Sequence, residues 1–377
     1  MKKRNSKTKK KANARTLNYN TLIKRNTNNS NNPNSPNNTI QLERINHKLN
    51  QNVSPEYKIV KYLGEGINGN LYLATDSDKN KLICKTVKLN NSDPNLNDEL
   101  KRQMNFELSI LNFLSNNITT RDYINPCLEH KIVGNEVFTL FPVFDGYSLE
   151  NLSTYMNRLD DEQHYKALFH IIKAILYGMA KIHQSNIAHQ NINEKSILVS
   201  TFNNPGEASV KFTDFGLGCG YNTLSKNNII DVNEYKNDEF FKAGNCRDNY
   251  NIPVVINQDV MGKLSESNYL QIAQKYDVLC LGILFLKMLM FFAKLDISLS
   301  KGYSSSNREA IKQITKKYLS SSESLSKLKI NKDTQSLIRE YLKLFDDYIF
   351  CESNKRENCQ YILDKIIVFE KYRFDEF

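Results

Sequence analysis

The first part of the chain that is rich in apolar residues begins at Tyr57. Hydrophobic and polar positions alternate there. Such alternation is typical of half-buried strands. The alternating runs are 57–63, 70–75, 82–89, 132–133 and 137–143. One predicted helix interrupts them between Phe106 and Leu114, where apolar side chains recur at helical spacing. The pattern predicts a small antiparallel sheet that carries one helix.

After Leu149 the apolar residues follow a helical period. Long helices are predicted over 165–184, 273–293 and 334–345, with two short strands at 197–200 and 210–213. Asn- and Ser-rich stretches at 220–250 and 298–332 predict insertions or long loops. This second part is therefore predicted to be mainly helical.

One stretch could be mistaken for a membrane span. Val278–Ala293 is almost wholly apolar, but it is 16 residues long and Lys287 interrupts it. A helix needs about 20 apolar residues to cross a bilayer. The stretch is therefore predicted to be a buried core helix, and no transmembrane segment is expected.

Charge divides the chain into two unequal parts. Residues 1–50 carry 12 Lys and Arg and one Glu, whereas the remainder carries 39 basic and 40 acidic residues, so the net charge of +10 belongs to the tail. Asn makes up 8 of the 13 residues from 26 to 38, and such a segment cannot bury enough apolar surface to offset its ordering entropy. Residues 1–55 are predicted to be a disordered basic, Asn-rich tail, and residues 56–370 one folded domain.

The basic run Lys2–Lys11 could be a nuclear-import signal or a patch for nucleic acid or an anionic membrane. A solvated charged tail is the simpler interpretation. The N-terminus lacks the apolar core of a secretion signal, and seven cysteines without a C-x-x-C pair predict reduced thiols. These features predict a cytoplasmic or nuclear protein.

Three glycines, Gly64, Gly66 and Gly69, lie between two predicted strands and are followed by Leu71. Glycine lets a hairpin lie close over the phosphates of a nucleotide, because a Cβ would block the approach. By itself the pattern is a weak signal. A dinucleotide-binding fingerprint would need a helix directly afterwards, whereas a second strand follows here.

Lys85 lies on the next predicted strand, 16 residues after Gly69. A lysine at this place could reach the α- and β-phosphates of a nucleotide if a carboxylate held it. Glu107 on the predicted helix is the best candidate for that carboxylate, and Glu99 is its rival. For Lys85 alone, a solvent-facing side chain is the simpler interpretation.

The most specific stretch begins with a predicted helix that ends near His183. It continues with the loop His189-Gln190-Asn191-Ile192-Asn193-Glu194-Lys195-Ser196 and then with Asp214-Phe215-Gly216. Together with the glycines, the strand lysine and the helix glutamate, this order resembles the protein kinases, whose catalytic loop reads H-R-D-x-K-x-x-N and whose metal-binding motif reads D-F-G. The resemblance implies an α+β, bilobed protein kinase-like fold, with a small β-rich N-lobe over 57–143 and a larger, mainly helical C-lobe over 144–370.

Two downstream segments extend the resemblance. Tyr276–Gly282 resembles the central helix of the kinase C-lobe, in which an Asp, here Asp277, ties the backbone of the catalytic loop. Arg356 resembles the late Arg that kinases pair with a Glu at the end of the activation segment. The A-P-E motif of that segment has only a remnant at 256–259, which weakens the case for a peptide-docking platform.

The resemblance implies a site for ATP and Mg²⁺. The implied nucleotide contacts are Gly64, Gly66, Gly69, Leu71, Ile83, Lys85, Glu107, Phe141, Phe144, Leu198 and Asp214. Asp214 would be the magnesium ligand, Phe141 would guard the back pocket, and Leu198 would lie beneath the adenine. Residues 142–144 would form the hinge. Ile83 stands where kinases have a small Ala, so its bulk could narrow the pocket.

The catalytic loop departs from the kinase pattern at four positions. By the resemblance, Asn191 stands in place of the base Asp and Asn193 in place of the phosphate-contacting Lys. Ser196 replaces the second metal ligand, and Gln190 replaces the Arg that pairs with a phosphorylated activation loop. An Asn amide cannot accept a proton at pH 7, and a general base contributes about 10²- to 10⁴-fold. Loss of an electrostatic donor costs roughly a further 10²- to 10³-fold, although such losses do not simply multiply.

These departures predict a catalytically inactive or very weak pseudokinase that acts as a scaffold or allosteric regulator. Its partner would be a protein, for example an active kinase, and ATP with Mg²⁺ would be optional ligands. Two alternatives stay open. One is an active Ser/Thr protein kinase in which another acid, such as Glu194, takes the role of the base. The other is a nucleic-acid-associated protein that binds through its basic tail.

Overall fold

The computed structural model describes residues 57–66, 69–89, 94–152, 161–200, 208–216, 218–220, 266–292, 331–351 and 353–374. The predicted tail, almost all of the two predicted insertions and the A-P-E remnant lie outside the described residues. Those predictions therefore stay predictions.

In the described part of the N-lobe, five antiparallel strands form one sheet in the order β1-β2-β3-β5-β4. The strands are β1 Lys58–Gly66, β2 Gly69–Thr75, β3 Lys81–Lys88, β4 Glu129–Val133 and β5 Glu136–Pro142. The predicted helix is α1, Pro94–Asn116. The alternating pattern thus predicted every strand of this sheet, with boundaries that differ by a few residues.

The C-lobe is mainly helical, as predicted. Its described helices are α2 Asp161–Gln184, α3 Glu266–Phe292, α4 Lys332–Tyr348 and α5 Cys359–Phe374. Short strands complete it: β6 Tyr147–Ser148, β8 Ile197–Ser200 and β9 Ser209–Phe212 pair in the order β6-β8-β9, while β7 Ile187–Ala188 pairs with β10 Cys219–Gly220. The α+β, bilobed kinase-like fold is confirmed.

Helix α3 lies in the middle of the larger hydrophobic core, that of the C-lobe. From Val278 to Leu289, every side chain except those of Leu279 and Lys287 is buried, so this helix is apolar all round rather than amphipathic. A Cβ added at Gly282 would collide with the side chain of Ile349, so the glycine lets the chain after α4 approach closely. Within the described ranges, no helix is long and apolar enough to cross a membrane.

Helix α5 was not predicted from the sequence. It packs on α2 and buries Ile362, Leu363 and Ile366. The neighbouring Ile367 and Val368 are about half exposed, at 49% each. Residues 366–369 are all apolar, so the sequence shows no helical period there. It therefore does not indicate which of these side chains are buried.

Candidate functional site

One face of the N-lobe sheet gathers several of the predicted site residues. Leu71 on β2 is paired with Lys85 on β3, and Ile83 is paired with Phe141 on β5. Directly paired residues of antiparallel strands lie on the same face, and residues two apart along a strand share it. The other face carries the buried N-lobe core, including Cys84. The register therefore brings Leu71, Ile83, Lys85 and Phe141 together on the face away from that core.

The glycine hairpin lies at the end of this sheet. Gly66 and Gly69 pair across it, and Gly64 has a φ of 148°, a conformation that L side chains rarely adopt. A Cβ added at Gly69 would overlap the carbonyl oxygen of Thr86 on β3. Gly69 is therefore required by the packing of one strand on the next, whether or not a nucleotide is present.

The predicted hinge and floor residues come from the C-lobe side. Leu198 on β8 is half-buried and pairs with Ser148 of β6 and Lys211 of β9. Phe144 is half-buried just after β5, and a Cβ added at Gly146 would strike its ring. Both residues thus lie beside the pairing of β6 with β8.

Lys85 stands between two carboxylates. Its Nζ lies 3.4 Å from Oε2 of Glu107 on α1 and 3.7 Å from Oδ1 of Asp214. Burial raises the pKa of Glu107, while the ammonium of Lys85 acts in the opposite direction. Of the two carboxylates proposed to hold Lys85, Glu107 is the one that reaches it, and the side chain of Glu99 lies outside the described residues.

Asp214 and Gln190 are held in an uncommon backbone conformation. Their φ angles are 67° and 57°, a region that non-glycine residues seldom occupy. Such strain persists where surrounding contacts over-determine it. Phe215, which follows Asp214, is fully buried with its ring centroid 4.3 Å from that of His189.

Asp277 on α3 supplies much of that constraint. It is fully buried, and its two oxygens accept the backbone N–H groups of His189 and Gln190, each at 2.7 Å. Nε2 of His183 lies 3.0 Å from Oδ2 of Asp277. The aspartate that the sequence singled out in this helix therefore fixes the start of the loop.

His189 is fixed as one neutral tautomer by its partners. Its Nε2 lies 3.0 Å from the carbonyl oxygen of Thr213, which can only accept, so Nε2 carries the proton. Its Nδ1 accepts the backbone N–H of Asn191 at 3.2 Å. Burial lowers the pKa of His189, because the charged ring would be desolvated. Protonation would also set a second N–H against that of Asn191.

Asn193 and Ser196 are bonded within their own loop. The amide of Asn193 donates to the carbonyl oxygen of Asn191 and accepts the backbone N–H of Lys195, both at 2.8 Å. The hydroxyl of Ser196 accepts the backbone N–H of Asn193 at 3.0 Å. Both side chains are buried. They hold the loop closed instead of projecting toward a ligand.

Asn191 reaches across to Asp214. Its Nδ2 lies 2.7 Å from Oδ2 of Asp214 and 3.4 Å from the carbonyl oxygen of the same residue. Because both partners are acceptors, the NH₂ group of Asn191 must face them. The position expected to hold a base holds a donor that is already engaged.

Glu194, the alternative base, is paired with Lys287. Oε1 of Glu194 lies 2.8 Å from Nζ of Lys287, and each side chain is about one third exposed, at 34%. Sequence reasoning noted Lys287 only as an interruption of an apolar stretch. A single charge inside the apolar stretch that begins at Val278 was the available signal, since such a charge needs a partner.

The residues around Asp214 do not fit Mg²⁺ well. The described residues include no group of three or more His, Cys, Asp or Glu that could hold a metal ion. Asp214 is engaged by Lys85 and Asn191, and the hydroxyl of Ser196 is engaged within its loop. Mg²⁺ prefers an octahedron of oxygen ligands. The amide of Asn191 and the ammonium of Lys85, which lie beside the carboxylate of Asp214, do not supply them.

Comparison with known proteins relates these features to one family. A profile of the protein kinase domain matches residues 57–365. The chain is similar to the serine/threonine-protein kinase CLA4 of Candida albicans, with 26% identity over 184 residues that cover 47% of this chain and 17% of that protein. It is also similar to mitogen-activated protein kinase kinase kinase 3 of Arabidopsis thaliana, with 28% identity over 170 residues that cover 43% of this chain and 24% of that protein. The chain thus spans about a quarter or less of the length of these two relatives.

Proposed function

Because the chain belongs to the protein kinase domain family, we propose that it is a pseudokinase, which binds a nucleotide and acts through a protein partner without transferring phosphate. The observation that carries this proposal is the internal bonding of the loop. Asn191 donates to Asp214, and the amide of Asn193 is bonded on both sides to the loop backbone. At positions 191 and 193 the loop therefore presents neither a proton acceptor nor a cation to a transferring phosphoryl group.

The chemistry of phosphoryl transfer supports this. Catalysis in kinases is almost entirely positioning and electrostatic stabilisation, aided by a residue that accepts the substrate proton. Without the base the rate falls by about 10²- to 10⁴-fold. Without a preorganised charge near the transferred group it falls by roughly a further 10²- to 10³-fold, with strong non-additivity.

The proposed ligand is a purine nucleoside triphosphate such as ATP. Lys85, held by Glu107, would contact its phosphates beneath the glycine hairpin. Leu198 would lie beneath the base near the proposed hinge, and Phe141 would guard the back pocket. Ile83 on the same sheet face would leave less room there than a small residue would, so we expect a modest affinity.

The protein partner would act on the kinase-like surface. The ion pair of Lys85 and Glu107 joins β3 to α1. A domain with this ion pair can present a defined conformation to another protein even if it transfers no phosphate. Scaffolding or allosteric regulation of an active kinase is the role we propose. The cytoplasmic or nuclear location and a contact of the basic tail with nucleic acid or an anionic membrane stay predictions from the sequence.

An active Ser/Thr protein kinase is the second candidate, and the names of the relatives favour it. In that case Glu194 would have to serve as the base. The ion pair with Lys287 on α3 argues against this, because an ammonium at 2.8 Å stabilises the carboxylate and competes for the same oxygen.

Phosphotransfer decides between the two candidates. The full-length protein is incubated with ATP and Mg²⁺, and transfer to myelin basic protein and to itself is measured. We expect turnover far below the ~1 to 100 per second that is typical of kinases. Asp214→Ala is the control for contaminating kinases, since a signal that persists in this variant does not come from the site. Turnover near ~1 per second that Asp214→Ala abolishes would establish the active kinase.

A further inference from the structure

Both carboxylate oxygens of Asp214 are engaged by groups of this chain. Oδ2 accepts from Nδ2 of Asn191 at 2.7 Å, and Oδ1 lies 3.7 Å from Nζ of Lys85. The side chain of Asp214 is only 18% exposed, so these partners are screened little by water. The residue implied as the metal ligand therefore has partners without any metal.

The amide at position 191 keeps a third negative charge out of the site. Two carboxylates, those of Glu107 and Asp214, face the single ammonium of Lys85. Asn191 adds a donor and no charge. An Asp at this position would place a third carboxylate in hydrogen-bond range of Asp214, and two carboxylates that share a site cannot both ionise freely. Such a pair needs a cation, whereas the observed pair does not.

We propose that the amide of Asn191 takes the place of a divalent cation at Asp214, so that the site binds a nucleoside triphosphate without Mg²⁺. The inference rests on the proposed function, since a phosphotransferring site would need the metal that this amide replaces. Lys85 supplies the positive contact to the phosphates. Asn191 is a positioning residue in this account, because it acts through Asp214.

Thermal unfolding of the full-length protein with ATP tests the proposal. ATP is titrated once in EDTA and once in excess Mg²⁺, and the dissociation constant is obtained from the shift in melting temperature. We expect the two constants to agree within about threefold, which corresponds to less than 1 kcal/mol. Lys85→Ala is the control for the site, and it should remove the shift under both conditions.

Asn191→Asp supplies the discriminating variant. In EDTA it should melt at a lower temperature than the wild type and bind ATP about tenfold or more weakly, because the added carboxylate repels Asp214. Added Mg²⁺ should restore both properties. Asn191→Ala, which removes the donor without adding a second carboxylate, should lose stability and gain less from Mg²⁺ than Asn191→Asp does. The paired change Asn191→Asp with Asp214→Asn restores an amide opposite a carboxylate, so it should recover stability in EDTA.

Each outcome has one meaning. Binding by the wild type that requires Mg²⁺, no binding of ATP at all, or an Asn191→Asp protein as stable in EDTA as in Mg²⁺ overturns the inference. If Asn191→Asp does not fold in EDTA, its recovery in Mg²⁺ or by the paired change still supports it, and failure of both overturns it. The phosphotransfer assay judges the pseudokinase proposal separately, because none of these melting measurements depends on turnover.

Discussion

The backbone N–H of Gln190 lies 2.7 Å from Oδ1 of Asp277, and Gln190 has a φ of 57°. The buried carboxylate of Asp277 on α3 thus stabilises Gln190 in a backbone conformation that non-glycine residues seldom adopt. The second oxygen of Asp277 takes the N–H of His189. The direction of the whole loop up to Ser196 depends on this attachment.

Asp277→Asn should therefore destabilise the protein. The amide keeps one acceptor and turns the other position into a donor that faces an N–H group. A buried donor left unsatisfied costs about 1–3 kcal/mol, and relief of the strain at Gln190 would offset only part of that loss. The free energy of unfolding in urea is the measurement. Asp78→Asn, on an exposed turn, is the matched control and should change it little. Equal stability of the two variants would show that the attachment is dispensable.

Gly69→Ala should destabilise the protein in the absence of any nucleotide. Its added Cβ would overlap the carbonyl oxygen of Thr86, so β2 and β3 would have to separate. Gly64→Ala has open space at the Cβ and only its φ of 148° to disfavour it. We expect a loss of about 1–3 kcal/mol at Gly64 and a larger loss at Gly69. The melting temperatures of the two variants, compared without ligand, check the order. The reverse order contradicts the packing role assigned to Gly69.

Stability should fall as the pH drops below about 6.5, the ordinary pKa of histidine. Burial lowers the pKa of His189 in the folded protein, so the unfolded chain takes up the proton first. The stability that the neutral ring contributes is thus present above the unfolded pKa and is lost as the pH falls toward the folded one. One proton gives a slope of up to ~1.4 kcal/mol per pH unit.

His189→Gln tests the assignment, because the amide can still donate to Thr213 and does not titrate in this range. Its unfolding free energy should depend on pH less steeply than that of the wild type. Some dependence should remain, since burial also lowers the pKa values of His130 and His170. Identical slopes in the two proteins would assign the effect to other groups.

Restoring single residues of the kinase pattern should not restore phosphotransfer. Asn193→Lys offers a cation but loses two hydrogen bonds of 2.8 Å within the loop, at about 1–3 kcal/mol for the buried groups left unpaired. Only the triple change Asn191→Asp, Asn193→Lys and Ser196→Asn should give measurable transfer, because the three positions act on one transition state.

Asn193→Ala is the matched control for the loop. It removes the same two hydrogen bonds as Asn193→Lys without adding a cation, so it should lose stability as well and transfer no phosphate. If Asn191→Asp alone transfers phosphate as fast as the triple variant, the loop bonds do not limit the reaction.

The sequence predicted most of the fold because its strands alternate and its main helices are periodic. The observed strand boundaries differ from the predicted ones where the terminal residues of a strand are not apolar. Strand β4, for example, begins at Glu129, ahead of the predicted run at 132–133. Helix α5 was not predicted because the residues of Ile366–Phe369 are apolar on both the exposed and the buried side of the helix. Periodicity reports amphipathic faces, so it carries little information where both sides are apolar.

The sequence identified the loop positions that depart from the kinase pattern, but it did not predict the hydrogen bonds that these side chains make. A substitution shows that a base or a cation is missing. It does not show that Asn193 turns back onto the backbone at Asn191 and Lys195, because that depends on how the loop is folded. The same holds for the pair of Glu194 and Lys287, which lie 93 residues apart in the chain.

The closed bonding of the loop also bears on how such a protein can change over generations. Under the proposed function, and if the present loop descends from a phosphotransferring one, each single reversal would break a hydrogen bond made by Asn191, Asn193 or Ser196, while phosphotransfer would return only when all three had occurred. Intermediates on the way back would be less stable than their parent and no more active. Selection could then refine the proposed binding role step by step, whereas every route back to phosphotransfer would pass through these less stable proteins.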